Sequence, residues 1–331
     1  MPAAADDRWL GATSIHTRDY AASARSALRG LLDLHPPLHL VVNHFDAGDI
    51  SATRRAEVED RHPRISVTWV ADMKGLFWKR VLTPERLRGV RVIWLFDADV
   101  AAHPAAMPLG GLVSALLSTD ASAMQPQVRA LGMGTDHSWL RQRPSLSSCV
   151  ASTARFVEVM TPLLQADAWI AFHEQVLSRV PDGALALSDF GIDVTWCAFF
   201  ADVFPQRPAC LVLYSAAAVH ANSNSIRRFM NASTISQERA CAGTCRYLRR
   251  NYPRYYMNFS HDTQDCWAAS NLGLVRAGGP RSAPRYVDAH GFWKAGRRGR
   301  DGHVVTATGK RVDGESGKGK GEAKGASKAK G

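Results

Sequence analysis

Two aspartates one residue apart are the strongest candidates for chemistry in this sequence. Asp97 and Asp99 follow the apolar run VIWLF, which predicts a buried strand that ends at this point. Carboxylates at a strand end can leave the sheet toward a loop-lined cleft, and hard divalent cations such as Mg²⁺ or Mn²⁺ prefer oxygen ligands of this kind. An ordinary acidic turn after a strand has the same pattern, so the pair alone indicates a metal site only weakly.

A second pair of carboxylates lies in the segment SDFGIDV. Asp189 and Asp193 stand among large apolar residues, where burial can raise the pKa of a carboxyl group toward neutral pH. We expect Asp193 to act as a catalytic base that accepts a proton from an attacking hydroxyl. A helix start offers the plainer alternative, with Asp189 as the N-cap and Asp193 as an acid of the first turn.

Four further residues are candidates on weaker grounds. Glu158 interrupts the apolar run FVEVM, where a carboxylate needs a partner or a function, and we count it among the catalytic candidates. His220 ends an apolar strand and could complete the metal site, although strand-end histidines more often bind a loop. Lys74 and Lys79 precede the strand that leads to Asp97 and could contact the phosphates of a donor, although cations on helices are usually solvated.

The surrounding elements predict an α/β fold with a mostly parallel, mixed sheet flanked by helices. Continuous apolar runs alternate with helical patterns, which is typical of sheets that are covered on both faces. Ligands of such sheets bind outside the carboxyl ends of the strands. We predict strands at 38–45, 65–70, 91–96 and 209–221, an edge strand at 121–128, and a strand followed by a helix within 156–180. We predict helices at 19–34, at 74–87 with an interruption near Pro84, at 109–119 and within 188–204.

The composition is that of a globular chain of enzyme size. Its 331 residues are 46% hydrophobic, which can supply a sizeable core. The net charge is +11, but residues 294–331 hold eleven Lys or Arg against four Asp or Glu, which leaves about +4 for the rest. A mildly basic folded part fits a phosphorylated small molecule and argues against nucleic acid as a partner.

The cysteines and the start of the chain bear on its compartment. Six cysteines occur without paired CxxC spacing, so a structural zinc site has little support, and a disulfide among Cys241, Cys245 and Cys266 would require an oxidising environment. The sequence contains no membrane segment, and MPAAADDRWL is not a signal peptide. We expect either a cytosolic protein or a truncated form of an anchored one.

Four parts are predicted along the chain. An N-terminal helical segment, 1–37, precedes the α/β domain at 38–240. A Cys-, Tyr- and Arg-rich extension follows at 241–295. The tail at 296–331 is rich in Gly, Lys, Ser and Ala without periodicity, and we predict that it is disordered because it cannot bury enough apolar surface.

Several linked blocks resemble the domain-of-unknown-function 707 family, plant and algal proteins regarded as glycosyltransferase-like. They span about residues 38–226 in the family's order: LHLVVNHFDAGD, KGLFWKRVLTPERLRGVRVIWLFDADV, MQPQV, FVEVMTPLLQADAW, FGIDVTWC and VHANSNS. The resemblance implies a GT-A-like nucleotide-sugar-binding fold in which Asp97 and Asp99 hold the metal and the donor. It also places Glu158, Asp193 and His220 on matching family positions.

The sequence departs from this family at three places. Ala98 stands where the family has an acidic residue, and Phe190 stands where it has tryptophan. WLGATSIH is a poor version of the family's first strand, which helps to build the nucleotide pocket. Members of the family generally carry an N-terminal anchor, which would place this protein at a Golgi or other secretory membrane.

These observations predict a metal-dependent glycosyltransferase. A nucleoside-diphosphate sugar and a Mn²⁺ or Mg²⁺ ion would bind at Asp97 and Asp99, and the sugar would pass to a hydroxyl of a glycan or another acceptor. Two alternatives stay open. In a haloacid dehalogenase-like phosphatase, Asp97 would be the nucleophile and Asp189 and Asp193 would hold Mg²⁺. A catalytically silent sugar- or nucleotide-binding module would keep the fold without turnover.

Overall fold

The structure is a computed structural model that forms two compact units, Met1–Gly278 and Gly279–Gly331. The second unit contains two short antiparallel strand pairs, Arg285–Val287 with Trp293–Ala295 and Arg297–Arg298 with Val304–Val305. The rest of the predicted disordered tail lies outside the described residues. The described residues are 8–20, 24–46, 61–71, 73–98, 100–101, 109–130, 149–187, 189, 191–220, 243–256, 263–267, 285–287, 293–295, 297–298 and 304–305.

A ten-stranded sheet forms the centre of the first unit, as far as this unit is described. Its order is β10-β7-β9-β6-β8-β4-β1-β2-β3, and β5 pairs with the end of β9. The strands are β1 (Arg8–Ile15), β2 (Leu38–His44), β3 (Ile65–Thr68), β4 (Val90–Asp97), β5 (Val100–Ala101), β6 (Ala123–Ala130), β7 (Ala151–Ala154), β8 (Leu163–Gln165), β9 (Cys210–His220) and β10 (Thr263–Trp267).

The directions of the strands bring several carboxyl ends to one edge of this mixed sheet. The strands β4, β1, β2 and β3 are parallel, and β6 is parallel to β9. Between these two parallel parts, β8 is antiparallel to both β4 and β6. The carboxyl ends of β4, β6 and β9 therefore lie at the same edge, where ligands of α/β sheets bind.

Helices flank the sheet, and local sequence explains where two of them end. The pair His35-Pro36 follows α2, and Thr83-Pro84 follows α3, because the residue before a proline is disfavoured in helical geometry. The helices of the first unit are α1 (Thr17–Asp19), α2 (Arg25–Leu34), α3 (Lys74–Val81), α4 (Leu109–Thr119), α5 (Ala166–Gln175), α6 (Asp182–Leu187), α7 (Asp193–Val203) and α8 (Thr244–Asn251), with a 3₁₀ turn at Leu177–Arg179. Among the described helices, none is long and apolar enough to cross a membrane.

Large aromatic side chains fill the core, and their polar atoms find partners inside it. The buried indoles of Trp94, Trp169 and Trp196 donate to Thr161 Oγ1 and to the carbonyl oxygens of Leu82 and Val157 at 2.9–3.1 Å. A buried indole N–H without a partner would be costly. The rings therefore fill the core, and their hydrogen bonds hold the surrounding loops against the sheet.

The sequence prediction of an α/β fold with a mixed sheet is confirmed, but one strand prediction is wrong. The segment predicted as an edge strand at 121–128 is β6, which lies inside the sheet between β8 and β9. Only Ala123 and Met124 pair with β8, so Pro126 needs no N–H on that side. On the other side the register with β9 shifts between Pro126 and Gln127, which accommodates the proline.

The segment 1–37, predicted as helical from its residue pattern, contains β1, which lies between β4 and β2 in the sheet at the place where the family resemblance implied a poor first strand. Gly11 explains why its sequence is atypical of a strand. A Cβ atom on Gly11 would lie 2.6 Å from Leu40 Cδ2, so a larger residue would require the Leu40 side chain to move. The glycine in WLGATSIH therefore lies against a side chain of the neighbouring strand.

A disulfide joins Cys197 of α7 to Cys210 at the start of β9. Cys149 and Cys245 are also disulfide-bonded, and no described cysteine is free. The disulfide prediction concerned only Cys241, Cys245 and Cys266. The pairing of Cys197 with Cys210 was therefore missed, because sequence spacing does not determine connectivity.

Candidate functional site

The carboxylate of Asp97, the last residue of β4, pairs with the first residue of α3. Lys74 Nζ donates to Asp97 Oδ1 at 2.6 Å and lies 3.8 Å from Asp189 Oδ2. The side chains of Lys74 and Asp97 are 15% and 20% exposed, so this contact is partly shielded from water. One ammonium thus joins two acidic segments that are far apart in the sequence.

The loop that carries Glu158 is held against β4 and β6. The backbone N–H of Asp97 donates to the carbonyl oxygen of Met160 at 2.8 Å. On the other side, Gln125 of β6 accepts a hydrogen bond from the backbone N–H of Glu158 at 2.7 Å. These bonds place Glu158 where its charge reaches Asp193.

A turn at Gly191 separates Asp189 from Asp193. Gly191 has φ +101°, a left-handed conformation that favours glycine, and its carbonyl oxygen accepts a hydrogen bond from Thr195 Oγ1 at 2.7 Å. The N-cap of α7 is Ile192, so Asp189 does not have the capping role that the plainer alternative gave it. Asp193 is a first-turn residue of α7, as that alternative expected.

The environment of Asp193 favours its protonated form. Burial, followed by the negative charges of Glu158 and Asp189, raises the pKa of Asp193 to about 8, against the smaller lowering effects of the Val194 N–H and Lys74. The side chain therefore holds a proton below about pH 8 and becomes a strong proton acceptor near that pH. A buried acid whose pKa is raised by two neighbouring acids, as Asp193 is by Glu158 and Asp189, is typical of functional sites.

Lys79, which was predicted beside Lys74 as a phosphate contact, lies elsewhere. Its Nζ donates to the carbonyl oxygen of Val180 and to Asp182 Oδ1, both at 2.7 Å, and Arg80 donates to the other oxygen of Asp182 at 2.8 Å. Five residues on a helix correspond to a rotation of about 140°. The two lysines consequently face different parts of the molecule, and Lys79 ties α3 to α6.

The other two predicted metal ligands are described only in part. His220 is the last residue of β9, and its backbone pairs with Val100 of β5. This register brings the end of β9 within a few residues of Asp97, at the predicted edge of the sheet. Asp99 lies outside the described residues.

The carboxylate oxygens at this edge of the sheet suit a hard divalent cation as ligands. Lys74 contacts Asp97 and Asp189, and the charges of Glu158, Asp189 and Lys74 reach Asp193, so four acidic groups stand against one lysine among these described residues. Asp189 Oδ2 is buried and accepts no hydrogen bond in the described structure. The described residues alone do not complete a three-ligand metal group. Carboxylate oxygens nevertheless fit Mn²⁺ or Mg²⁺, with Asp97 as the described ligand.

A polar group at the carboxyl ends of β1 and β2 was not predicted. His44 is fully buried, its ring stacks on Trp69 at 4.6 Å between centroids, and its Nδ1 lies 3.0 Å from Thr17 Oγ1. Thr17 Oγ1 donates to Asp46 Oδ1 at 2.7 Å, so it accepts from His44 Nδ1–H. Burial lowers the pKa of His44 to about 4, so this imidazole is neutral at physiological pH. The polar end of the apolar run LHLVVNHFD was the available signal.

The helix α8 packs directly on the turn between the two acids, which was also not predicted. A Cβ atom on Gly191 would lie 2.8 Å from Cys245 Cα. Cys245 Sγ lies 2.9 Å from the hydroxyl of Tyr256, whose pKa is raised by burial and then by the charge of Asp193. The segment after residue 243 therefore forms one wall of the candidate site.

No model of a known protein family matches this sequence, and no curated protein sequence matches it. Some solved structures can be superposed on this one with low sequence identity and low TM-scores. Residues 1–349 of S. aureus TarS have 9% identity and a TM-score of 0.42, with coverage of 74% of this chain and 73% of that one. A mannosyltransferase from Pyrobaculum calidifontis, in complex with GDP-Man and Mn²⁺, has 12% identity and a TM-score of 0.44, with coverage of 75% and 67%. These values establish no shared activity.

Proposed function

We propose that this chain is a glycosyltransferase that moves a sugar from a nucleoside-diphosphate sugar to an acceptor hydroxyl. The observation that supports it best is the contact of Lys74 with Asp97 and Asp189 at the carboxyl edge of the sheet, close enough to the buried Asp193 for the charges of Lys74 and Asp189 to act on its pKa. A reaction of this kind needs positive charge for the departing diphosphate and a base for the acceptor proton. We also propose a GT-A-like fold and membership of the domain-of-unknown-function 707 family.

Asp193 is the proposed base. Transfer breaks the bond between the anomeric carbon and the diphosphate oxygen, whose electron pair leaves with the nucleoside diphosphate. The acceptor oxygen forms the new bond to that carbon, and its proton passes to the Asp193 carboxylate. With a pKa of about 8, this carboxylate is a much stronger base than an ordinary aspartate. Glu158 and Asp189 sustain that basicity through their negative charges.

Lys74 is the proposed contact for the donor phosphates. Its ammonium lies between two carboxylates and 5.6 Å from the ring centroid of Trp78, which limits where it can point. A phosphate oxygen can replace one of the carboxylates without moving the lysine out of the site. Lys79 has no part in this proposal because Asp182 engages it.

Asp97 is the described residue that would hold Mn²⁺ or Mg²⁺, with Asp99 and His220 as further predicted ligands. When bound, such an ion supplies Lewis-acid assistance to the departure of the diphosphate. The strand-end position of Asp97 provides a fixed oxygen ligand at the place where donors bind in α/β sheets.

The test is a donor screen on the purified chain. A panel of nucleoside-diphosphate sugars is incubated with Mn²⁺, with Mg²⁺ or with chelator, and the release of nucleoside diphosphate is measured. We expect turnover of at least one donor that depends on the divalent ion. If no donor binds by calorimetry and none is hydrolysed, the proposal is wrong. Binding of a donor without any turnover would indicate the silent binding module instead.

One contact also suits the phosphatase alternative. In a phosphatase of the haloacid dehalogenase kind, Asp97 would attack phosphorus, and the bridge through Lys74 to Asp189 would stabilise the phosphoryl group. The attack would form an aspartyl-phosphate, which borohydride reduction can trap. Trapping at Asp97 would favour the phosphatase over the transferase.

A further inference from the structure

The helix α8 presents an arginine face to solvent. Thr244, Cys245 and Leu248 are buried, whereas the exposed side is formed by Arg246, Arg249 and Arg250. Their spacing of three and four residues puts the three guanidinium groups on one face of the helix. We call these three residues the arginine face.

The arginine face lies beside the candidate site. Cys245 packs on Gly191 in the turn that carries Asp193, and Arg249 follows Cys245 by one helical turn on the same flank of α8. The hydroxyl of Tyr256 contacts Cys245 Sγ at 2.9 Å and lies close enough to Asp193 and Arg249 for both charges to act on its pKa. The charge of Asp193 raises the pKa of Tyr256, and the charge of Arg249 lowers it.

Within the part of the chain that the structure describes, the positive charge on this face has no counterion. Residues 243–256 contain four arginines and no acidic residue. Arg254 pairs with Asp202, but the arginine face forms no ion pair with any residue that the structure describes. Like charges three and four residues apart repel each other, so the face gains stability when an anion neutralises it.

The dimensions and surroundings of the face favour one class of anion. From Arg246 to Arg250 the helix rises about 6 Å, which is short for a nucleic-acid backbone track. A membrane surface is disfavoured because Leu34 of α2 is the one large exposed hydrophobic residue of the described part, and α8 has none. Tyr247 and Tyr252 lie beside the face, half-buried, with their ring centroids 6.4 Å apart, and offer flat apolar surfaces. Arginines next to aromatic rings suit a chain of sugars that carries acidic groups.

We propose that the arginine face binds an anionic oligosaccharide through its carboxylate or sulfate groups. Arginine matches both anions with two parallel hydrogen bonds, which a lysine cannot do. If the proposed transferase function holds, this oligosaccharide is the acceptor, and its hydroxyl reaches Asp193 while its acidic groups rest on α8. Acceptor recognition thus depends on the proposed function, whereas the binding of an anionic glycan does not.

Binding is tested by calorimetry on the full chain with four probes. These are a galacturonic acid tetramer, its neutral methyl ester, a chondroitin sulfate tetrasaccharide and single-stranded RNA. The test variant is R246Q/R249Q/R250Q. The matched control is R61Q/R86Q/R88Q, which removes the same charge from three exposed arginines at the amino ends of β3 and β4. Thermal melting checks that both variants are folded.

We expect at least one of the two charged glycans to bind, and to bind more weakly at high salt. In the test variant its affinity should fall by about tenfold or more, which corresponds to about 1.4 kcal/mol. In the control it should change less than about twofold. Arginine-dependent glycan binding without any donor turnover would uphold the glycan site and count against the transferase.

Four results would overturn the proposal. The neutral ester could bind as tightly as the charged tetramer, the control could lose as much affinity as the test variant, or RNA could bind while neither charged glycan does. The absence of binding by any probe would have the same consequence.

Discussion

The ammonium of Lys74 lies 2.6 Å from Asp97 Oδ1, at the strand end where the sequence predicts a metal ligand. Lys74 and a divalent cation would therefore share one carboxylate. Two positive charges near one oxygen repel each other, and this repulsion is appreciable because the site is partly shielded from water. Lys74 would therefore weaken the binding of a cation at Asp97, although both positive charges would act on the same diphosphate.

Removal of Lys74 should strengthen metal binding and weaken catalysis. In Lys74→Gln we expect Mn²⁺ to bind several-fold more tightly, or about 1 kcal/mol, because a neighbouring positive charge is lost. Donor turnover should fall because the phosphates lose a contact. Calorimetry with Mn²⁺ measures the first effect, and Lys79→Gln is the control, since Lys79 pairs with Asp182. Weaker Mn²⁺ binding in Lys74→Gln would contradict the shared carboxylate.

The transfer rate should rise with pH because Asp193 acts only when ionised. Its pKa of about 8 means that the carboxylate fraction increases about tenfold per pH unit below that value and levels off above it. A profile of kcat/KM from pH 6 to 9 measures this dependence. Glu158→Gln removes one of the charges that raise the pKa of Asp193, so the rise should shift to lower pH. A rate independent of pH over this range would exclude Asp193 as the base.

Gly191→Ala should damage the site as well as the fold. The added Cβ would lie 2.8 Å from Cys245 Cα at a residue with φ +101°, so both the helix and the turn must shift. We expect a loss of about 1–3 kcal/mol in the free energy of unfolding, together with reduced turnover. Thermal or urea unfolding provides the measurement.

Gly183→Ala is the matched control for this change. Gly183 lies in α6, with nothing within 4 Å of an added Cβ. Alanine favours helix over glycine by about 1 kcal/mol, so this variant should be as stable as the parent or slightly more so. Equal destabilisation by both substitutions would show that the contact between Gly191 and Cys245 has no special importance.

Elements with a strong local pattern could be predicted from the sequence. The helix Leu109–Thr119 coincides with the prediction, and Leu38–His44 differs from it by one residue. The residue pattern alone did not predict β1, which only the family resemblance implied, because a strand's fit in a sheet depends on its neighbours, such as Leu40 beside Gly11. The interior place of β6 was missed for a similar reason, since its pairing partners are distant in the sequence.

The site could be predicted as a set of candidates but not as an arrangement. Asp97, Asp189 and Asp193 were singled out by residue type and apolar surroundings, whereas the bridge from Asp97 through Lys74 to Asp189 depends on contacts between remote segments. The different orientation of Lys79 was within reach of sequence reasoning, because five residues span about 140° of a helix. The wall formed by Cys245 could not be foreseen, since nothing local links it to Gly191.

The central claim is that Asp97 serves a metal-dependent sugar transfer, and Asp97→Asn tests it most directly. The measurement is Mn²⁺-dependent release of nucleoside diphosphate from the best donor of the screen, with Asp182→Asn as the control for loss of a carboxylate that pairs with a lysine of α3. We expect Asp97→Asn to lower turnover by about 100-fold or more, and Asp182→Asn to change it by less than about threefold. Unchanged Mn²⁺-dependent turnover in a folded Asp97→Asn variant would contradict the account.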